Sequence, residues 1–156
     1  MRRKDKEIKD KDKIEQIVQG ARVCHLALAD NGQPYVVPLN FGYRDGTVYF
    51  HSARQGRKID MLKANPRVCL EFSNLRDIVR GETSCEWGQQ FESVIAFGEA
   101  QLIEDESEKK EALDIIMKHY GGQGGDYPNN KLKITAVIAI PLDEMTGKRS
   151  GLSWMT

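Results

Sequence analysis

"ARVCHLALADNGQPYVVPLNFGYRDGTVYFHS", residues 21–52, holds three apolar or alternating runs divided by two turn clusters, Asp-Asn-Gly-Gln-Pro at 30–34 and Arg-Asp-Gly at 44–46. Alternating apolar and polar residues match the two-residue side-chain period of a strand, and the Asn-Gly and Asp-Gly pairs tolerate the positive φ that tight hairpins need. The stretch therefore predicts an antiparallel meander. Pro38, inside the second run, cannot donate to a ladder, so it marks an edge, a bulge or an interruption.

Downstream, residues 55–64 place Ile59, Met61 and Leu62 at helical positions and stop at Asn65-Pro66, which predicts a helix of two to three turns. "RVCLEFS" (67–73) resumes strand character. "FESVIAFGEAQLIE" (91–104) reads as one long strand with Gly98 in its interior, where a bulge or a close backbone approach is expected. Residues 74–90 have no decided pattern. "DESEKKEALDIIMKHY" (105–120) is helical, with Ser107 as a candidate cap, Leu113, Ile116 and Met117 on one face, and Lys118 and His119 late. "GGQGGDYPNN" (121–130) reads as a flexible loop and "ITAVIAIPL" (134–142) as a last buried strand. Upstream, "DKIEQIVQG" (12–20) sets Ile14, Ile17 and Val18 at helical spacing, with Gly20 placed to end the helix as a C′ residue. The sum is a mainly β protein, of β+α composition: six antiparallel strands forming a small barrel, with short flanking helices.

With 156 residues the chain is long enough for one cored domain. Residues 1–13 are almost all charged, with both signs mixed, and are expected to form a solvated arm ahead of a domain at 14–156. Lys plus Arg (23) equal Asp plus Glu (23), so the overall field suits no nucleic acid, and an anion would have to be held locally. No run reaches membrane-spanning length. Cys24, Cys69 and Cys85 are odd in number and widely spaced, and no apolar leader follows Met1, which together predict a reduced, cytoplasmic protein whose cysteines are small buried groups. Cys24 and His25 are neighbours on one strand and so face opposite ways, and no Cys-x-x-Cys or His-x-x-x-His spacing occurs; no metal site is expected.

The strand ending in His51-Ser52 turns at Gly56 into a helix whose first turn carries Arg57 and Lys58. The opening N–H groups of a helix lack partners and lie at the positive end of its dipole. Two cations there are locally unfavourable by some tenths of a kcal/mol, so an anion such as a phosphate is a natural third party. On spacing alone, a solvated helix merely decorated by Arg57 and Lys58 fits equally well. The stretch lacks the distant Gly and the Ser or Thr after Lys of a nucleotide-triphosphate loop.

The succession "NGQPYVVPLNFGY", "VYFHSARQGRKIDMLKANPRVCLEF" and "FESVIAFGEAQLI" resembles the flavin-binding split-barrel superfamily of pyridoxamine 5′-phosphate oxidases, above all its branch related to the nitroimidazole-resistance (Nim) proteins. The resemblance runs over roughly residues 14–152. It implies a split barrel that binds FMN, with FAD as the alternative. It implies that Ser52, Ala53, Arg57 and Lys58 hold the phosphate, and that Pro38, Leu39, Asn40 and Phe41 turn main-chain groups to the polar edge of the flavin. It also implies a homodimer with the flavin across the interface, to which the partner would bring Ser93 and Val94. His51 would touch the cofactor and act in catalysis, its ordinary pKa being near 6.5. Trp87 and Trp154 could cover the flavin, close the dimer, or simply be buried.

The activity implied is reduction of a small acceptor, a nitro compound or a quinone, with NAD(P)H as possible electron donor. The alternative is a flavin or haem carrier or sensor without turnover. The Arg-x-His pattern that a true pyridoxamine phosphate oxidase carries near its C-terminus is absent from "MTGKRSGLSWMT", so that oxidase reaction is not expected.

Overall fold

The computed structural model describes residues 2–151. Its elements are β1 (Glu7–Ile8), α1 (Lys11–Gly20), β2 (Cys24–Asp30), β3 (Gln33–Leu39), β4 (Gly42–Arg44), β5 (Thr47–Ala53), α2 (Arg57–Ala64), β6 (Arg67–Val79), β7 (Gly88–Glu99), β8 (Gln101–Ile103), α3 (Glu106–His119), α4 (Asn129–Ile134) and β9 (Thr135–Ser150). The two turn clusters close hairpins as their composition dictates. Asn31 and Gly32 (φ 48° and 78°) join β2 to β3, and Asp45 and Gly46 (φ 50° and 76°) join β4 to β5.

The described strands number nine, against six expected runs, and the difference has local causes. The run through Pro38 breaks at Asn40–Phe41 into β3 and β4, because the Phe41 N–H donates to the Tyr120 hydroxyl at 3.1 Å instead of to a strand. The run through Gly98 breaks where the Ala100 N–H donates to the Pro66 carbonyl, leaving β8 as a separate piece. The ninth, β1, comes from the segment expected to be a free arm. Glu7 and Ile8 pair with Lys148 and Gly147 of β9, and Ile8 is buried. One well-placed isoleucine thus ties a charged segment to the sheet.

The ladder runs β3-β2-β6-β7-β9-β5-β4, all neighbours antiparallel, with β1 and β8 also on β9. β9 is the seam of the split barrel: residues 135–141 pair with β5, and from Leu142 onward the strand pairs with β7. The switch is made at a register shift where Phe97 opposes Glu144 and Gly98 opposes Leu142. Gly98 allows it, since a Cβ there would sit 2.4 Å from the Pro141 carbonyl oxygen. β3 ends the path, so Pro34 and Pro38 lie on an edge strand, where the missing N–H costs no ladder bond.

The core is filled by Phe41, Phe50, Phe72, Leu26, Leu70, Val94 and Ile138, all essentially without exposure. Helix α1 buries Ile14, Ile17 and Val18 as its spacing predicts, but Gly20 is its last helical residue and Ala21 its extended cap, so no left-handed C′ glycine is used. Helix α3 is capped by Asp105, which accepts from the Glu108 N–H, and not by Ser107. Its buried face is Lys109, Ala112, Ile115 and Ile116, with Met117 exposed, a rotation of the expected stripe. The glycine-rich loop after it is held by Asp114, whose Oδ1 accepts from the Gly125 N–H and the Tyr127 hydroxyl, both at 2.9 Å.

Residues 74–90 form a hairpin continuing β6 and β7 beyond the barrel, with Trp87 at its turn more than half exposed. Burial of Trp87 within the chain is therefore excluded; Trp154 lies outside the described residues. Of the thiols, Cys24 is buried, Cys69 half-buried and Cys85 exposed, so the expectation of three buried cysteines holds only for the first. Burial pushes the Cys24 thiol far above its usual range. Cys24 and His25 do face opposite ways; His25 is exposed and its Nδ1 lies 3.0 Å from a Glu71 carboxylate oxygen. Among the described residues no helix is long and apolar enough to cross a membrane.

Candidate functional site

The site forms where β5 hands over to α2. Along β5 the residues Val48 and Phe50 turn into the core, and Ser52 follows them on that face, half-buried. Residues 54–56 then reverse the chain. Arg54 anchors the turn by donating to Glu104 (3.2 Å) and to the Lys133 carbonyl (3.3 Å). Gly56 is the N-cap of α2 at φ 118°, a conformation that side chains resist, and it offers no capping side chain. The first helical bond runs from the Asp60 N–H to the Gly56 carbonyl, so the Arg57, Lys58 and Ile59 amides have no acceptor within the helix. Ile59, Met61 and Leu62 bury the opposite face. Asn65 locks the far end, its side-chain amide donating to the Ala29 carbonyl of β2 and its oxygen accepting from the Arg67 N–H.

The two cations of the first turn are seated unlike most of the arginines around them. Arg3, Arg44, Arg54, Arg67 and Arg76 each pair with a carboxylate. Arg57 has no carboxylate partner among the described residues, and its guanidinium carbon lies 4.7 Å from the centre of the Tyr35 ring. Lys58 likewise stands 5.4 Å from the Phe50 ring centre, and partial burial lowers its ammonium pKa. Helix α2 thereby bridges β5 and the edge strand β3, which are far apart in the ladder. Two cations, unmet amide donors and a half-buried hydroxyl at one turn suit a phosphate monoester better than they suit water. Nothing in the sequence singles out Tyr35, whose place under Arg57 depends on the tertiary path of β3.

His51 and Ser52 are chain neighbours but face opposite sides of β5, so the histidine does not share the hydroxyl's face. Nor does β3, which carries Pro38, oppose it: the ladder partners of β5 are β4 and β9, with His51 opposite Val137. His51 retains solvent access, yet desolvation first and the Lys58 charge second hold its imidazole below the ordinary pKa. Ala53, at the end of β5, is exposed.

Along the edge, Pro38 is exposed, Leu39 half-buried and Asn40 exposed just past the strand end. Phe41 departs from expectation: its ring is wholly buried against Phe72 and His119 and its N–H is committed to Tyr120, so that amide is not available to a ligand. Val94 also departs, being fully buried and paired on both sides, with Phe72 and Gly147. Its neighbour Ser93 lies on the outer sheet face, between Ser73 and Lys148. Alternation puts only one of the two within reach of a second subunit.

A profile of the family described as pyridoxamine 5′-phosphate oxidase matches residues 10–149. A candidate 5-nitroimidazole antibiotic resistance protein from Bacteroides thetaiotaomicron is similar in sequence and fold: 41% identical, TM-score 0.83, over 92% of this chain and 86% of that one. A flavocytochrome from Azotobacter vinelandii is 25% identical with a TM-score of 0.79, over 96% and 72% of the two chains. An FAD-binding protein from Mesorhizobium loti is 25% identical with a TM-score of 0.68, over 91% and 96%. A match along residues 10–149, nearly the whole barrel, makes this chain a member of the pyridoxamine 5′-phosphate oxidase family.

Proposed function

We propose that this chain binds FMN, with the 5′-phosphate in the cradle at the start of α2, and works as a flavin-dependent reductase of small acceptors such as nitro compounds or quinones. The observation that carries the reading is the adjacent pair Arg57 and Lys58, seated on aromatic rings and not on carboxylates, at a helix start with no capping side chain. Ser52 adds a hydroxyl on the Lys58 side of β5. The free edge of β3, from Pro38 to the exposed Asn40, offers main-chain groups to the ring. FAD presents the same phosphate next to its ribityl chain, so it is the nearest competitor for this cradle. The family membership, the flavocytochrome and the FAD-binding relative support a flavin, and the resistance-protein relative supports a Nim-like activity.

Bound flavin would supply two-electron redox chemistry, with a nicotinamide nucleotide as the electron donor we favour. The protein's part is to fix the phosphate with Arg57 and Lys58 and to present His51 as a source of a proton from its imidazolium N–H. The absorption spectrum of the purified protein tests the cofactor. We expect the two visible bands of an oxidised flavin; an intense Soret band would replace the reading by a haem carrier. The free thiols of Cys24, Cys69 and Cys85 suit a reduced cytoplasm.

We place a second copy of the chain against the outer face of β3, β2, β6 and β7, where Val36 (60%), Leu75 (66%) and Ile95 (43%) are exposed on the face that carries Ser93. Ile95→Lys should convert dimer to monomer in sedimentation and weaken FMN by about tenfold or more, as loss of a shared site requires. A monomer that keeps its FMN affinity would refute the shared site.

A further inference from the structure

We infer that Tyr35 is a positioning residue for Arg57 and, through it, sets the preference of the cradle for phosphorylated over unphosphorylated flavin; the inference rests on the phosphate reading above. An arginine that is to meet an anion must be held without being neutralised. A carboxylate, as used by Arg44, Arg54 and Arg67, would hold the guanidinium but occupy its donors and cancel its charge. An aromatic face holds a cation by its quadrupole and leaves the in-plane N–H groups pointing outward. Arg57 has this second arrangement, 4.7 Å from the Tyr35 ring centre and with no carboxylate partner among the described residues. A long side chain fixed in advance loses less freedom when the ligand arrives, so the gain falls on ligands that contact the guanidinium.

The ring's position comes from the strand. Tyr35, Val37 and Leu39 alternate inward along β3 and pack against the core, while Val36 and Pro38 face out, and Tyr35 lies opposite Leu28 in the β2 register. Its hydroxyl makes no hydrogen bond among the described residues, so the ring is the part that serves Arg57. Phe50 holds Lys58 in the same manner, but it is fully buried, and replacing it would damage the core. Tyr35 is only partly buried and can be changed with less cost to the fold.

The test titrates FMN and riboflavin into wild type, Tyr35→Phe, Tyr35→Leu, Arg57→Ala and the Tyr35→Leu/Arg57→Ala double variant. Tyr35→Leu is expected to raise the FMN Kd about five- to tenfold, the scale of a partly desolvated cation–π contact, and to leave riboflavin within about twofold. Tyr35→Phe should restore the wild-type FMN-to-riboflavin ratio, and Tyr35→Leu should add nothing further in the Arg57→Ala background. If the leucine variant fails to fold, Tyr35→Ile makes the same comparison with a residue that suits strands. The inference is overturned if removing the ring weakens both flavins in proportion, or if its effect on FMN persists undiminished without Arg57. The reading beneath it fails separately, if Arg57→Ala itself leaves the FMN-to-riboflavin ratio at the wild-type value.

Discussion

Alanine at Arg57 or at Lys58 is expected to weaken FMN binding by about 1.5–3 kcal/mol each, the range for hydrogen bonds to charged groups, or roughly ten- to 150-fold in Kd. Each side chain would lose its contact with the phosphate, and Arg54, the other cation of that turn, is engaged by Glu104. The Lys58 change should be the larger. Its ammonium is partly desolvated and its pKa lowered by burial, so a phosphate there would meet a cation that water screens poorly. Riboflavin, which lacks the phosphate, should bind both variants about as well as wild type. Raising salt should weaken FMN more in wild type than in either variant, because the attraction being screened has been removed. Equal losses for riboflavin and FMN would show that the cradle holds something other than the phosphate.

His51→Ala is expected to retain FMN while losing reduction of nitro compounds or quinones by about a hundredfold or more, the scale of general acid catalysis. The histidine stands on the face of β5 away from Ser52, so its removal leaves the phosphate contacts in place. The sign of the pH dependence follows from its environment. Desolvation and the Lys58 charge both disfavour the imidazolium, so its pKa lies below 6.5 and the proton is lost as pH rises through the weakly acidic range. Wild-type turnover should therefore fall as pH rises, with the fall centred below the ordinary histidine value of about 6.5, while His51→Ala should be low and flat. A phosphate beside Lys58 would offset part of the repulsion and shift the wild-type fall to higher pH. Rates that ignore pH from about 5 to 8 in both proteins would leave His51 a strand-end residue and favour a carrier or sensor over an enzyme.

The parts of this molecule that could be read from its sequence are those governed by short-range chemistry. Turn residues at Asn31-Gly32 and Asp45-Gly46 need no tertiary information to adopt positive φ, and they hold the meander in register. Gly98 marked a close approach because only a missing Cβ permits one, and the Pro141 carbonyl is what it approaches. Arg57 and Lys58 stood out because cations at a helix start contradict the helix dipole. What escaped depends on partners far along the chain. Phe41 lies next to an exposed asparagine in an irregular segment, yet Tyr120 of the helix end takes its amide and Phe72 its ring. The phase of α3 is set by its docking on β4 and β5, which brings Ile115 and Ile116 against Gly42 and leaves Met117 exposed. Ser93 and Val94 are equivalent in sequence and opposite in space, and only the pairing of β7 with β6 and β9 decides which is buried.

Titration of the purified protein with FMN, followed by quenching of flavin fluorescence, bears most directly on the proposed function. The phosphate cradle at the start of α2 predicts saturation at one FMN per chain, with FMN bound at least tenfold more tightly than riboflavin, the minimum worth of one charged hydrogen bond. Fluorescence that stays unquenched up to high micromolar FMN, or equal affinity for the two flavins, would contradict it.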